Sequence, residues 1–349
     1  MDHFTFVLGC DVAKHSLSLC LLRHRDRFSL YRAEIPNTGV GVRTLVRELL
    51  RRYAATEGFE LSQCRLIAEH TGIYTADLCA TWLDLGGRLS LVDARRVQAS
   101  LGSRYAYDKT DALDAVRLAE YGSRFADQLQ EYVPPRAALS LIAHLHSLRK
   151  RLLLVRDILE QPLGELAGQA PLGATAQLIE ELQQRPLEAL RQSIVACEQQ
   201  LAQVIAEDEA LRRQFELVRS VSGVGQVCAW QILVLTGGFT RFTAQDAKAF
   251  CRYIGIVPRR FESGSSIYRH RGSPKRRGGS LKADLSMGLL AAIQYDPDLK
   301  TYYRRKRAAG KTHRVVANAV KNKIIERVFA VVRRGTTYQK NYQPNLQAS

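Results

Sequence analysis

Asp111 and Asp114 stand three residues apart in the run Asp108-Lys109-Thr110-Asp111-Ala112-Leu113-Asp114-Ala115, a spacing that puts both carboxylates on one face of a helix. Two acids on one face call for a cation between them. The residues that follow, Val116-Arg117-Leu118-Ala119-Glu120-Tyr121-Gly122, have apolar positions at helical spacing and a glycine suited to a helix end. Asp108, one turn earlier, is either a third ligand or, with Thr110, a cap. An acidic first turn answering the helix dipole would have the same signature. What separates the readings is whether other acids arrive at the same place. Asp11 closes the apolar run Phe4-Thr5-Phe6-Val7-Leu8-Gly9-Cys10, and Glu69 closes Arg65-Leu66-Ile67-Ala68. Acids at the ends of buried strands are costly unless they meet something positive. Hard cations such as Mg²⁺ or Mn²⁺ suit an all-oxygen set, and two of them about 4 Å apart serve in-line phosphoryl displacement.

A second chemical stretch is Phe250-Cys251-Arg252-Tyr253-Ile254-Gly255-Ile256-Val257-Pro258-Arg259-Arg260-Phe261-Glu262-Ser263-Gly264-Ser265-Ser266. It reads as a helix passing through a Pro-Arg-Arg step into a small-residue loop, followed by Arg269, Arg271, Lys275, Arg276 and Arg277. A serine attacking a phosphodiester needs cations around the scissile phosphate and unhindered access. The loop offers both, and Ser263, Ser265 and Ser266 share one environment. From composition alone, a flexible basic loop contacting phosphates through its hydroxyl groups is the favoured reading.

The elements that must position these residues follow from periodicity. Leu17–Leu22 and Phe28–Ala33 alternate as strands after the first run, Val42 to Tyr53 has helical spacing, and Arg65–Glu69 is a buried strand. A helix near Tyr74–Leu85, a strand at Leu89–Asp93 and the acid-bearing helix complete the order β-β-β-α-β-α-β-α, which predicts a mixed sheet covered by helices. After Tyr132-Val133-Pro134-Pro135-Arg136, a linker, Leu141, Leu145, Leu148, Leu152, Val155 and Leu159 form a heptad seam. A second seam runs through Leu187, Leu190, Ile194, Cys197, Leu201 and Val204, then Leu211, Phe215 and Val218, with Asp208 breaking the row. The two helices pair either within one chain or between protomers. Ser220-Val221-Ser222-Gly223-Val224-Gly225 before an apolar helix resembles the hairpin of helix-hairpin-helix elements, or is a helix-start turn without a ligand. Tyr302 and Tyr303 either stack on unpaired bases or pack on their own core.

The chain has 349 residues, 46% of them hydrophobic, enough for two or three domains. No span is long and apolar enough for a membrane helix, and the start Met1-Asp2-His3-Phe4 has no signal-peptide pattern, so a soluble intracellular protein without a membrane partner is expected. Seven scattered cysteines with no C-x-x-C pair suggest neither a disulfide framework nor a zinc site. Of the net charge of +17, nearly all lies between Arg252 and Arg334, where 21 Lys and Arg face five acids. That asymmetry points to a polyanion, nucleic acid before a membrane surface.

The motifs Gly9-Cys10-Asp11-Val12-Ala13-Lys14, Glu69-His70-Thr71-Gly72-Ile73-Tyr74 and Lys109-Thr110-Asp111-Ala112-Leu113-Asp114-Ala115, in this order, resemble those of the DEDD insertion-sequence transposases, and the resemblance covers nearly the whole chain. It implies an α/β fold with three parts. These are a ribonuclease H-like mixed sheet with flanking helices over 1–130, similar to Holliday-junction resolvases, a helical coiled-coil arm over 131–217, and a basic, mainly α serine-bearing domain over 218–335. A disordered tail over 336–349 would follow. The family tetrad falls on Asp11, Glu69, Asp111 and Asp114, with Asp108 outside it and His70 beside it. Gly255-Ile256-Val257-Pro258-Arg259-Arg260 and Glu262-Ser263-Gly264-Ser265-Ser266 resemble the family's serine motif, which implies Ser263 as nucleophile. The resemblance further implies Mg²⁺, with Mn²⁺ as a substitute, donor and target duplex DNA, a non-coding guide RNA and a homo-oligomer in a bacterial or archaeal cytoplasm at the nucleoid. Two rivals stay open: a metal-dependent junction nuclease that uses water, and a non-catalytic nucleic-acid-binding protein.

Overall fold

Apolar residues alternate so densely in the first strand that both of its faces must be covered. A computed structural model, which describes residues 4–69, 72–101, 111–167, 173–257, 259–263, 267–271 and 279–340, shows how. The chain divides into two units, Met1–Pro134 and Pro135–Ser349. In the first, β1 (Phe6–Val12), β2 (Ser16–Arg23), β3 (Phe28–Pro36), β4 (Cys64–Glu69) and β5 (Arg88–Val92) form one sheet in the order β3-β2-β1-β4-β5. β2 pairs antiparallel with β1 and β3, whereas β4 pairs parallel with β1 and β5. This is the mixed α/β sheet that the sequence predicts.

Period-two alternation sends Phe6, Leu8, Cys10 and Val12 to a core shared with α1 (Gly39–Glu57) and α2 (Ala76–Asp84), around Val42, Leu45, Leu49, Leu78 and Trp82. Val7 and Ile67 point the other way, onto Ala115, Leu118, Ala119 and Tyr121 of α4 (Asp111–Arg124). α1 begins at Thr38, whose side chain accepts from the Gly41 amide, and ends at Gly58 with φ 68°. One helix was not anticipated, α3 (Ala94–Leu101). It starts directly after β5, where Asp93 accepts from the Arg95 amide.

In the second unit α5 (Ala137–Ala167) and α6 (Gly173–Glu207) fold back on each other, so the heptad helices pair within the chain. Arg149 bonds Glu198 at 2.7 Å and Arg191 bonds Glu160 at 3.2 Å, which fixes the antiparallel sense. Asp208 breaks the apolar row because it caps α7 (Glu209–Arg219), accepting from the Leu211 amide. Then come α8 (Gln226–Thr236), α9 (Ala247–Tyr253), α10 (Gly279–Tyr295), α11 (Pro297–Ala308) and α12 (His313–Arg334), closed over a core that includes Trp230, Phe250 and Phe329.

One expectation is corrected. The serine stretch is not a loop throughout: β6 (Arg259–Ser263) and β7 (Ile267–Arg271) pair antiparallel. Phe261, Ile267 and Tyr268 favour strand, and the three residues between the strands are a hairpin length. Tyr338 donates its hydroxyl to Asp296 at 2.7 Å and its amide to Ser220 Oγ at 2.8 Å, while 341–349 lie outside the described residues.

Candidate active site

Asp11 and Glu69 sit at the carboxyl ends of adjacent parallel strands. The pairing Cys10↔Ala68 makes them the next positions in register, on the α4 face of the sheet. Neighbouring strands run about 4.8 Å apart, so the two backbones approach each other to that order. Both side chains are half-buried.

What brings the other two acids here is a pair of glycine contacts. A Cβ on Gly9 would lie 2.1 Å from the Ala115 carbonyl oxygen and 2.4 Å from the Ala119 nitrogen, and one on Gly122 would lie 2.5 Å from Ile67 Cγ1. α4 therefore lies directly on the sheet, and it runs antiparallel to β1, since Ala115 and Ala119 meet Gly9 whereas Gly122 meets Val7. Four residues back from Ala115 along the helix is about 6 Å, and two residues on from Gly9 along the strand is about 6.6 Å. The backbone of Asp111 thus comes level with that of Asp11. The amino-terminal end of α4, with its partial positive charge, lies over the carboxylate-bearing strand ends.

Asp114 is half-buried, and its Oδ1 accepts from Arg117 Nη1 at 2.6 Å within the helix. Its Oδ2 has no partner among the described residues. Among the described side chains no three acids form a ligand cluster, and for Asp111 it is the backbone that is placed. The donors, all carboxylates, still fit a hard divalent cation in kind and in the end of the sheet they share. In this arrangement Arg117 supplies positive charge to one of them. Burial, with the adjacent Asp11 carboxylate adding to it, pushes the Cys10 thiol well up, so it stays neutral beside the acids.

Asn37 is the positioning residue that sequence reading missed. Its Nδ2 donates to the Ala13 carbonyl and to the Tyr74 carbonyl, both at 2.9 Å, and its amide donates to the His15 carbonyl at 3.0 Å. One side chain thereby ties the turn after Asp11 to the segment after Glu69. The only sequence signal was an asparagine just before a capping threonine. His70 and Asp108 lie outside the described residues.

In the hairpin, Ser263 is the last residue of β6, opposite Ile267. Directly paired residues share a face, so Ser263 shares its face with Arg259, Phe261, Arg269 and Arg271, while Arg260 lies on the other with Glu262, Tyr268 and His270. Ser265, Ser266, Lys275, Arg276 and Arg277 lie outside the described residues. Gly223, at φ 88°, packs against Gly288 of α10, where a Cβ would stand 2.0 Å from the Gly223 carbonyl oxygen. Close packing accounts for that turn. Tyr302 and Tyr303 lean on the core, with Lys323 4.8 Å from the Tyr302 ring centre and His313 bonded to the Tyr303 hydroxyl at 2.7 Å. No helix among the described residues is long and apolar enough to cross a membrane.

A family model described as "Transposase", for DEDD transposases of the IS110 type, matches residues 8–160. A second, described as "Transposase IS116/IS110/IS902 family", matches residues 215–304. The chain is 22% identical over 335 residues to the pilin gene-inverting protein of Moraxella bovis, covering 95% of this chain and 97% of that protein. It is 33% identical over 164 residues to an uncharacterized 43.6 kDa protein of insertion element IS110 from Streptomyces coelicolor, covering 46% of this chain and 39% of that one. A T. thermophilus RuvC chain solved with a Holliday junction aligns at a TM-score of 0.29 and 12% identity, over 37% of this chain and all of that one, too slight a likeness to bear weight.

Proposed function

The chain belongs to the IS110-type insertion-sequence transposases, matched in both of its parts, and from that premise we propose that it cuts and rejoins duplex DNA through a transient phosphoserine. The observation that carries this reading is the contact of α4 with Gly9, which sets the acids of that helix over the strand ends bearing Asp11 and Glu69. Asp11, Glu69, Asp111 and Asp114 would hold Mg²⁺, or Mn²⁺ in its place, Asp114 offering Oδ2 while Arg117 keeps Oδ1. A bound divalent cation would supply charge neutralisation at the DNA phosphate.

Ser263 Oγ attacks the scissile phosphorus. A serine–phosphorus bond forms, the bond to the leaving sugar oxygen breaks, and the serine proton is passed on to that oxygen. Attack by another strand's hydroxyl reverses the step, and the phosphodiester is conserved without ATP. Arg259, Arg269 and Arg271, on the face of the hairpin that Ser263 occupies, are suited to neutralise the pentacovalent state. Arg260, on the other face, and Lys275, Arg276 and Arg277 would contact the DNA backbone. The relative named for gene inversion suggests the same strand exchange.

The reading extends to donor and target duplexes, to a non-coding guide RNA from the element, and to a homo-oligomer working at the nucleoid. Self-association is supported by Leu141, Leu148 and Val155, seven residues apart on α5 and 46%, 39% and 45% exposed. The test is an Mg²⁺ cleavage assay with candidate duplexes and the RNA transcribed from flanking non-coding DNA, resolved on gels that retain protein–DNA adducts. An adduct in the wild type, absent from Ser263→Ala and Asp11→Ala, is expected. Cleavage that survives Ser263→Ala and leaves free ends would replace the recombinase with a metal-dependent nuclease. Binding with no cleavage under any of these conditions would leave a non-catalytic binder.

A further inference from the structure

Lys321 of α12 is 6% exposed. Its Nζ donates to Ser286 Oγ at 2.6 Å and to the Lys282 carbonyl at 3.3 Å, both neutral oxygens of α10. The Lys282 ammonium, half-buried, donates to the Gly255 carbonyl at 3.1 Å. Among the described residues neither lysine has a carboxylate partner. Burial lowers the pKa of both, and each is lowered further by another cation, Lys282 by Arg314 and Lys321 by Lys282. Lys282 and Ser286 are four residues apart on α10, and Arg314 and Lys321 are seven apart on α12, so each pair lies on one stripe of its helix.

A buried ammonium without a counter-charge costs several kcal/mol, and a structural tie between two helices would be better made by an apolar side chain. A buried lysine held on a hydroxyl, with a second lysine four residues before that hydroxyl on the same helix and no acid among the described partners of either, is the complement of an anion rather than of the protein itself. We propose that Lys282, Ser286 and Lys321 form a phosphate site that seats one backbone phosphate of duplex DNA. Through the Lys282 contact to Gly255, four residues before β6, an occupied site would also steady the segment that leads into the serine hairpin. The proposal rests on the reading that this chain binds DNA, but not on any cleavage chemistry.

The experiment measures the affinity of the full chain for a random-sequence duplex between 50 and 200 mM salt, alongside melting with and without inorganic phosphate. Wild type is compared with Lys321→Met and Lys282→Met. Each neutralised phosphate contributes about 0.9 to the slope of log K against log salt, equal to roughly a 3.5-fold change over that range. Each variant is expected to lose about that much slope, to melt no lower than wild type without phosphate, and to lose the stabilisation that phosphate gives wild type. A variant that melts lower and keeps the wild-type slope would overturn the proposal in favour of a structural tie. Should Lys321→Met fail to fold, the half-buried Lys282→Met decides alone. Phosphate stabilisation that needs both lysines, with no change in DNA slope, would overturn DNA as the source and leave free phosphate. A wild type that binds no duplex would refute the proposed function, whereas cleavage without an adduct would leave this site untouched.

Discussion

Replacing Gly9 by alanine tests whether the site depends on α4 lying flush with β1. Gly9 is in a strand, so its backbone tolerates a side chain, and the obstacle is purely steric. The added Cβ would sit 2.1 Å from the Ala115 carbonyl oxygen, about 1.3 Å short of ordinary van der Waals contact at 3.4 Å. Both close neighbours are backbone atoms of the helix, so no rotamer change relieves the clash and α4 must lift by an amount of that order. Overpacking of this kind costs about 1–3 kcal/mol. A lift near 1 Å would carry Asp111 and Asp114 away from Asp11 and Glu69, and a misplacement of that size costs roughly 100-fold in rate. The assay pairs thermal melting with Mg²⁺-dependent cleavage, and adds hydrogen exchange of the α4 amides as a readout independent of activity. The expected result is a modest loss of stability, faster exchange confined to α4 and the strand ends, and a disproportionate loss of cleavage. Wild-type melting and exchange in Gly9→Ala would refute the packing argument, while a stability loss with full cleavage would refute its link to the acids.

Arg327 donates to Asp296 at 2.6 Å, and Asp296 is 1% exposed, so Arg327→Leu strands a buried carboxylate and should destabilise the chain by about 3 kcal/mol in denaturant melts. A change under about 1 kcal/mol would mean that the Tyr338 hydroxyl and the Leu299 amide suffice for that charge. Asp208→Ala should cost about 1 kcal/mol as a lost helix cap. The Leu211 amide and then Arg136 hold the Asp208 carboxyl below the ordinary carboxylate range. Its stabilisation is therefore complete above roughly pH 4 and disappears as pH falls through the lowered value. The variant and wild type should converge in acid, and a gap that persists there would contradict this assignment. All seven cysteines are free and buried, and burial pushes Cys79 up to about 11 and Cys228 and Cys251 up to about 12. A thiol reagent should label essentially none in the native chain and all seven after denaturation, and rapid native labelling of any one would show that its element opens.

Where the sequence carried a period, it was readable. The alternation of the first strands and the 115–118–119–122 stripe of α4 are both local patterns, and together they were enough to predict the mixed sheet and the acid-bearing helix. The partner of Asp114 was also within reach, because Arg117 follows it at the three-residue spacing that lets helix side chains meet. Asn37 was not readable, because its role lies in two carbonyls from segments far apart in the chain, and nothing local marks those carbonyls. Glycine composition likewise says that a close approach is allowed somewhere, but not that Gly9 faces Ala115 or that Gly223 faces Gly288.

The serine stretch failed for a different reason. Its glycine and serines signal access for a nucleophile and the arginines of the flanking Arg-Arg-Phe-Glu-Ser and Ile-Tyr-Arg-His-Arg signal charge, and these signals mask the strand-forming residues of each run and the hairpin-length interval between them. The correction changes the chemistry. In a loop all nearby arginines are equivalent, whereas in a hairpin the register sorts them: Arg259, Arg269 and Arg271 take the face of Ser263 and Arg260 the other. If that sorting matters, Arg269→Gln should suppress adduct formation far more than Arg260→Gln at equal DNA occupancy, and equal losses from the two would show that charge, not register, governs the site.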